Sequence, residues 1–210
     1  MKKIKKEYYL IAVLFICFGL LTLFVTSGKA LVLDEVFYNG LIRIKNSYLT
    51  NILYVITNIG STVGVISLLV IMFIIFYKKK AISDFKYVAV NVGVGALIMK
   101  ILKHIIKRIR PSWKWIVQSG FSYPSGHTIS AALLYGTLIL LVYKKVHGKY
   151  RKPLIICFSL MIFLISISRI YFGVHFLTDV IASIILGSII LIISSLFMDR
   201  EFKNDKNKDK

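Results

Sequence analysis

Six stretches of this chain stay apolar for about the length a bilayer demands, which restricts the fold before any motif is considered. A helix crossing ~30 Å of hydrocarbon needs roughly 20 mostly apolar residues. The candidates are Tyr8–Ser27, Asn51–Tyr77, Tyr87–Leu102, Thr128–Tyr143, Leu154–Ser168 and Phe176–Phe197. The third, fourth and fifth are short, so their ends are expected to run on into polar residues. At 210 residues, 57% apolar and with mean hydropathy +0.76, the chain is too hydrophobic for an ordinary soluble domain. Six spans leave almost nothing for a separate soluble unit. The sequence therefore predicts an all-α, integral membrane, six-transmembrane-helix bundle. It reads as one domain over residues 1–200 with a disordered cytoplasmic tail over 201–210, where Lys, Asp and Asn dominate. The first span follows Lys2, Lys3, Lys5 and Lys6 and precedes Gly28 and Ala30, as a cleaved leader would. Its apolar run exceeds the 7–15 residues of such a leader, and it is read as a retained anchor.

The net charge of +19 would suggest nucleic acid in a soluble protein. Here the charges flank apolar spans, so topology and anionic lipid are the better readings, with the bilayer and not nucleic acid as partner. Eighteen of the 28 Lys and Arg fall in the N-terminus, the second-to-third loop, the fourth-to-fifth loop and the tail. The positive-inside rule then places both termini in the cytoplasm of a multi-pass plasma-membrane protein. Seven cations run against that rule: Lys100, Lys103, Lys107, Arg108, Arg110, Lys114 and Arg169. A basic cluster kept on the disfavoured side is expected to hold an anion. Cys17 and Cys157 both lie inside spans and suggest neither a disulfide framework nor a metal site. Nothing in the sequence sets an oligomeric state.

Three polar stretches interrupt the apolar background. Lys103 and Arg110 are about two helical turns apart, with Lys107 between them, and are expected on one helix face that Pro111 terminates. Two cations there make a phosphate clamp, although basic residues at helix ends also simply snorkel. Pro124–Ser125–Gly126–His127 precedes the fourth span. Ser125 reads as its N-cap, Gly126 permits close backbone approach, and a helix N-terminus is an anion site. Ser168–Arg169 precedes His175 and Asp179, spaced i, i+4 at the start of a helix, so the carboxylate can fix the tautomer of the imidazole. Gly173 allows the turn between spans five and six. In any alternating six-span topology all three stretches share one membrane face. His104 and His147 are unremarkable. Leu31–Leu49, with Asp34 and Glu35 ahead of a loosely amphipathic run, reads as scaffold along the outer interface, and Gly60 as a kink in the second span.

The ordered set Lys-x6-Arg-Pro, Pro-Ser-Gly-His and Ser-Arg-x5-His-x3-Asp resembles the type 2 phosphatidic acid phosphatase (PAP2) superfamily. The matched motifs run from Lys103 to Asp179, and the span layout is similar across nearly the whole chain. The resemblance implies a membrane lipid phosphatase acting at the extracytoplasmic face. His175 would be the nucleophile, Asp179 would orient it, and His127 would be the general acid and base. Lys103, Arg110, Ser125, Gly126 and Arg169 would bind the phosphoryl oxygens, and neither metal nor cofactor is implied. The Phe121–Tyr123 lead and Gly126 resemble the phosphatidylglycerophosphatase B-like branch, implying phosphatidylglycerophosphate or phosphatidate as the membrane lipid substrate. Undecaprenyl diphosphate is the alternative within the family. A lipid or anion transporter is the alternative outside enzymes, although its ionisable groups would be expected along the bundle and not at one end.

Overall fold

The computed structural model describes the backbone of residues 2–208 and the side chains of residues 6–197. The helices are α1 (Lys2–Thr26), α2 (Leu31–Ile42), α3 (Ser47–Ile59), α4 (Thr62–Lys78), α5 (Ile82–Ile106), α6 (Gly126–Lys145), α7 (Arg151–Tyr171) and α8 (Leu177–Lys208). No strand occurs among the described residues. Five of these helices are long and apolar enough to cross a bilayer. α3 and α4 are together long and apolar enough for a sixth, and are bent by 59° at their junction. A single kinked second span was expected, and the chain instead breaks into two helices at Gly60–Ser61. The Ser61 hydroxyl accepts from the Gly64 amide at 3.1 Å and starts a new N-terminus, giving the backbone a local alternative to a continuous helix.

The three short spans do extend into polar residues, as α5, α6 and α7 show. The backbone of α8 runs helical to Lys208. No Gly or Pro follows Gly187 to stop it. Residues 209–210, and all side chains of the expected tail, lie outside the described residues.

α6 is the centre of the bundle. In the most apolar stretch of α6, 61% of residues are buried inside the protein, against 6% for α1. Lipid is as apolar as leucine, so helices in a bilayer associate through close packing and polar contacts. The sequence supplies both. Gly136 of α6 receives Leu191 of α8 so closely that a Cβ there would lie 2.5 Å from a leucine methyl, and Gly95 of α5 receives Leu133 of α6. Asn91 of α5 donates to Thr137 of α6 at 3.0 Å. At the far end from the motifs, Lys145 pairs with Asp84 at 2.6 Å, tying the end of α6 to the start of α5.

Candidate active site

The segment between α5 and α6 is irregular, and aromatic side chains fix it. Trp113 stacks on Tyr38 of α2 at 5.2 Å and meets the edge of Phe176 at 5.7 Å. Trp115 packs on Tyr171 and Phe172 and donates its indole N–H to the Tyr171 carbonyl at 3.0 Å. Such rings suit the bilayer–water boundary. They hold the segment against the α7–α8 turn, where Gly173 has φ +65° and a Cβ would lie 2.9 Å from the Trp113 carbonyl oxygen. Only glycine serves there.

His175 and Asp179 sit beyond that turn. His175 precedes α8, and Asp179 lies in its first turn, where its Oδ2 accepts from the Phe176 amide at 3.0 Å and faces His175 Nδ1 at 3.3 Å. On the other side of the ring, Arg110 Nη1 lies 3.1 Å from Nε2. Guanidinium has only donors, so this contact assigns Nε2 as the acceptor. The ring proton therefore rests on Nδ1 and is donated to Asp179, and the lone pair is on Nε2, facing Arg110. Burial, followed by the positive charges of Arg110, Arg169 and Lys103, holds the imidazole well below its usual pKa of 6.5. His175 is thus neutral at neutral pH.

Arg110 reaches this ring by a route other than the one expected. A shared helix face with Lys103 was predicted, but α5 ends at Ile106 and Lys107 takes a left-handed conformation, φ +51°. Its amide caps the Lys103 carbonyl at 3.0 Å. The chain turns there, ahead of Pro111, and Arg110 belongs to the irregular segment. Its guanidinium donates to the carbonyls of Val174 at 2.7 Å, Gly120 at 3.0 Å and Ser119 at 3.0 Å. Burial lowers its pKa, opposed by Asp179, and it stays a cation. Lys103 Nζ donates to the carbonyls of Phe121 and Ser122. Arg169 is 1% exposed. It donates to Thr57 Oγ1 at 2.6 Å and Gln118 Oε1 at 3.1 Å, while its Nε has no partner among the described residues.

The start of α6 completes the set. Ser125 caps it, accepting from the Thr128 amide at 3.4 Å and the Thr128 hydroxyl at 3.1 Å, and Ser183 donates to the Ser125 carbonyl at 3.1 Å. Gly126 and His127 then open onto a cavity of about 550 Å3. Of the eight residues singled out by sequence, Lys103, Arg110, Gly126, His127 and His175 line this cavity. Ser125, Arg169 and Asp179 are fully or almost fully buried outside that lining. The cavity continues as an apolar slot along Val65, Ile66 and Leu69 of α4 and Val92, Ala96 and Met99 of α5.

Two residues escaped sequence reasoning. Arg108 was counted in the basic cluster but given no task, and Asp34 was read as scaffold. Arg108 bridges Asp179 at 2.6 Å and Asp34 at 2.7 Å. Asp34 is the residue that α2 buries. The available signal was an acidic residue on a face crowded with unpaired cations.

Comparison with known proteins adds an independent line. The PAP2 superfamily profile matches residues 84–203. The chain is 30% identical over 200 residues to phosphatidylglycerophosphatase B of Bacillus subtilis (strain 168), covering 93% of this chain and 97% of that protein. The crystal structure of a transmembrane PAP2 type phosphatidylglycerolphosphate phosphatase from Bacillus subtilis superposes with a TM-score of 0.81 at 30% identity, covering 91% of this chain and 97% of the other. The crystal structure of LpxE from Aquifex aeolicus superposes with a TM-score of 0.63 at 25% identity, over 77% of this chain and 94% of the other.

Proposed function

The chain belongs to the PAP2 superfamily, and from that premise we propose that it is a lipid phosphate phosphatase of the plasma membrane working through a phosphohistidine. The observation that carries the reading is the position of His175 Nε2, 3.1 Å from Arg110 Nη1. It stands among cations at the head of a cavity whose other end is an apolar slot between α4 and α5. A phosphate at headgroup depth would meet the cations while its acyl chains follow the slot.

In the first step Nε2 attacks phosphorus and the bond from phosphorus to the lipid oxygen breaks, with His127 giving that oxygen a proton. The Nδ1 proton stays on the ring, where Asp179 offsets the positive charge that the ring acquires. In the second step His127 takes a proton from water, whose oxygen displaces the imidazole and releases phosphate. Charge on the transferred group is met by Lys103, Arg110, Arg169 and the first turn of α6, which the fold holds in place beforehand. Arg169, buried behind the cavity lining, adds its positive charge from there. Ser125 contributes by capping that turn.

Likeness to phosphatidylglycerophosphatase B supports phosphatidylglycerophosphate as substrate ahead of phosphatidate and undecaprenyl diphosphate. The distribution of Lys and Arg supports an extracytoplasmic site with both termini inside. Purified protein in detergent is expected to release phosphate from phosphatidylglycerophosphate in the presence of EDTA and to lose that activity as His175→Ala. Full turnover by the variant would refute the chemistry. The three lipids tested side by side rank the substrates.

A further inference from the structure

Asp179 is completely buried, and its two oxygens face different partners. Oδ2 takes the His175 ring proton and the Phe176 amide, whereas Oδ1 takes Arg108 Nη1 at 2.6 Å. The second nitrogen of Arg108 goes to Asp34 Oδ2 at 2.7 Å. Asp34 in turn accepts from the Thr178 amide and the Thr178 hydroxyl, each at 2.9 Å, on the first turn of α8. Thr178 Oγ1 also receives Arg108 Nη1 at 2.8 Å, and the guanidinium lies over the Phe176 ring at 3.8 Å. A guanidinium with this geometry has few donors left for a substrate, and Arg108 does not line the cavity. It differs in this from Arg110, whose Nη1 points at His175 Nε2.

We infer that Arg108 and Asp34 are positioning residues for the reaction, fixing the plane of the Asp179 carboxylate and through it the His175 ring. The inference rests on the phosphatase reading above. A lone buried carboxylate can turn about its own bond and exchange its oxygens. With Oδ1 claimed by Arg108, only Oδ2 is left for Nδ1, and Nε2 is aimed at the cavity. One guanidinium between two carboxylates also leaves a net negative charge behind the ring. That charge favours the imidazolium-like state formed as Nε2 bonds to phosphorus. Asp34 makes α2, outside the three motifs, part of this arrangement.

A merely structural tie between α2 and α8 would show the same contacts, so the test must separate the two. Wild type, Arg108→Met, Asp179→Asn and the double variant are compared on phosphatidylglycerophosphate in detergent. Arg108→Met is expected to lower kcat about 30-fold with KM changed less than about twofold, since transition-state interactions alone are lost. In the Asp179→Asn background the same change is expected to cost less than about twofold, because residues acting as one unit are non-additive. Asp34→Asn keeps the side-chain shape and is expected to lower kcat about fivefold by the same route. Arg108→Lys is expected to recover part of the loss. Losses that multiply in the double variant, or a rise in KM at constant kcat, would overturn the proposal. Should Arg108→Met not fold, Asp34→Asn run through the same cycle with Asp179→Asn decides by the same criterion. Wild type that releases no phosphate would sink the phosphatase reading and this inference with it. Wild type that turns over while the losses multiply would sink this inference alone.

Discussion

At the scale of single residues, the site turns on one lone pair. Arg110 on one side and Asp179 on the other leave His175 a single sensible tautomer, with the lone pair on Nε2. His175→Ala is expected to cut phosphate release at least about a thousandfold, as loss of a nucleophile does elsewhere. His104→Ala should behave as wild type in the same assay, since His104 is exposed and contacts its own helix at the Lys100 carbonyl. The pH dependence has a definite sign. The folded-state pKa of His175 is depressed, so its lone pair persists as pH drops past 6.5 and is lost only below that depressed value. The acid limb of kcat/KM is therefore expected well below pH 6.5, and one centred at or above 6.5 would contradict the assignment. Lys103, His127 and His175 were legible as residues because their spacing and residue types carry the chemistry. Arg108 and Asp34 were not, because their ion pair joins positions 74 apart with no periodicity linking them.

At the scale of elements, apolar length located the five long apolar helices and the bent α3–α4 pair, because the bilayer imposes that length on any helix that spans it. Helix ends were less legible. The Gly60 kink proved to be a full break, since the Ser61 cap is a local hydrogen bond that hydropathy does not register. The clamp cations were expected on one helix, but the left-handed residue at Lys107 ends α5 early and sends Arg110 back by another path. The α7–α8 turn is the element on which placement of His175 depends most. Gly173→Ala should destabilise the protein by about 1–2 kcal/mol from the positive φ alone, with more from the Trp113 carbonyl a Cβ would meet at 2.9 Å. Denaturant unfolding in detergent measures the first effect. A fall in kcat greater than the unfolded fraction explains would register displacement of His175.

At the scale of the whole molecule, the arrangement is an alternation. The three motifs lie at the end of α5, the start of α6 and the α7–α8 turn, so consecutive crossings bring them to one face, and one cavity receives their side chains. That much followed from counting spans. The contribution of α2 did not, since its one buried residue is an acid on a helix whose other residues are exposed or half-buried. With Cys17 and Cys157 replaced by Ser, a cysteine at fully exposed Val117 should react with a membrane-impermeant maleimide on intact cells. A cysteine at Lys79 should react only after the cells are opened. The reverse pattern would turn the site toward the cytoplasm and refute the proposed topology. The most direct test is of the covalent step itself. Enzyme quenched during turnover of a lipid labelled in its terminal phosphate should carry an acid-labile, alkali-stable label that peptide mapping places on His175. A label on any other residue, or its persistence in His175→Ala, would contradict nucleophilic attack by that ring.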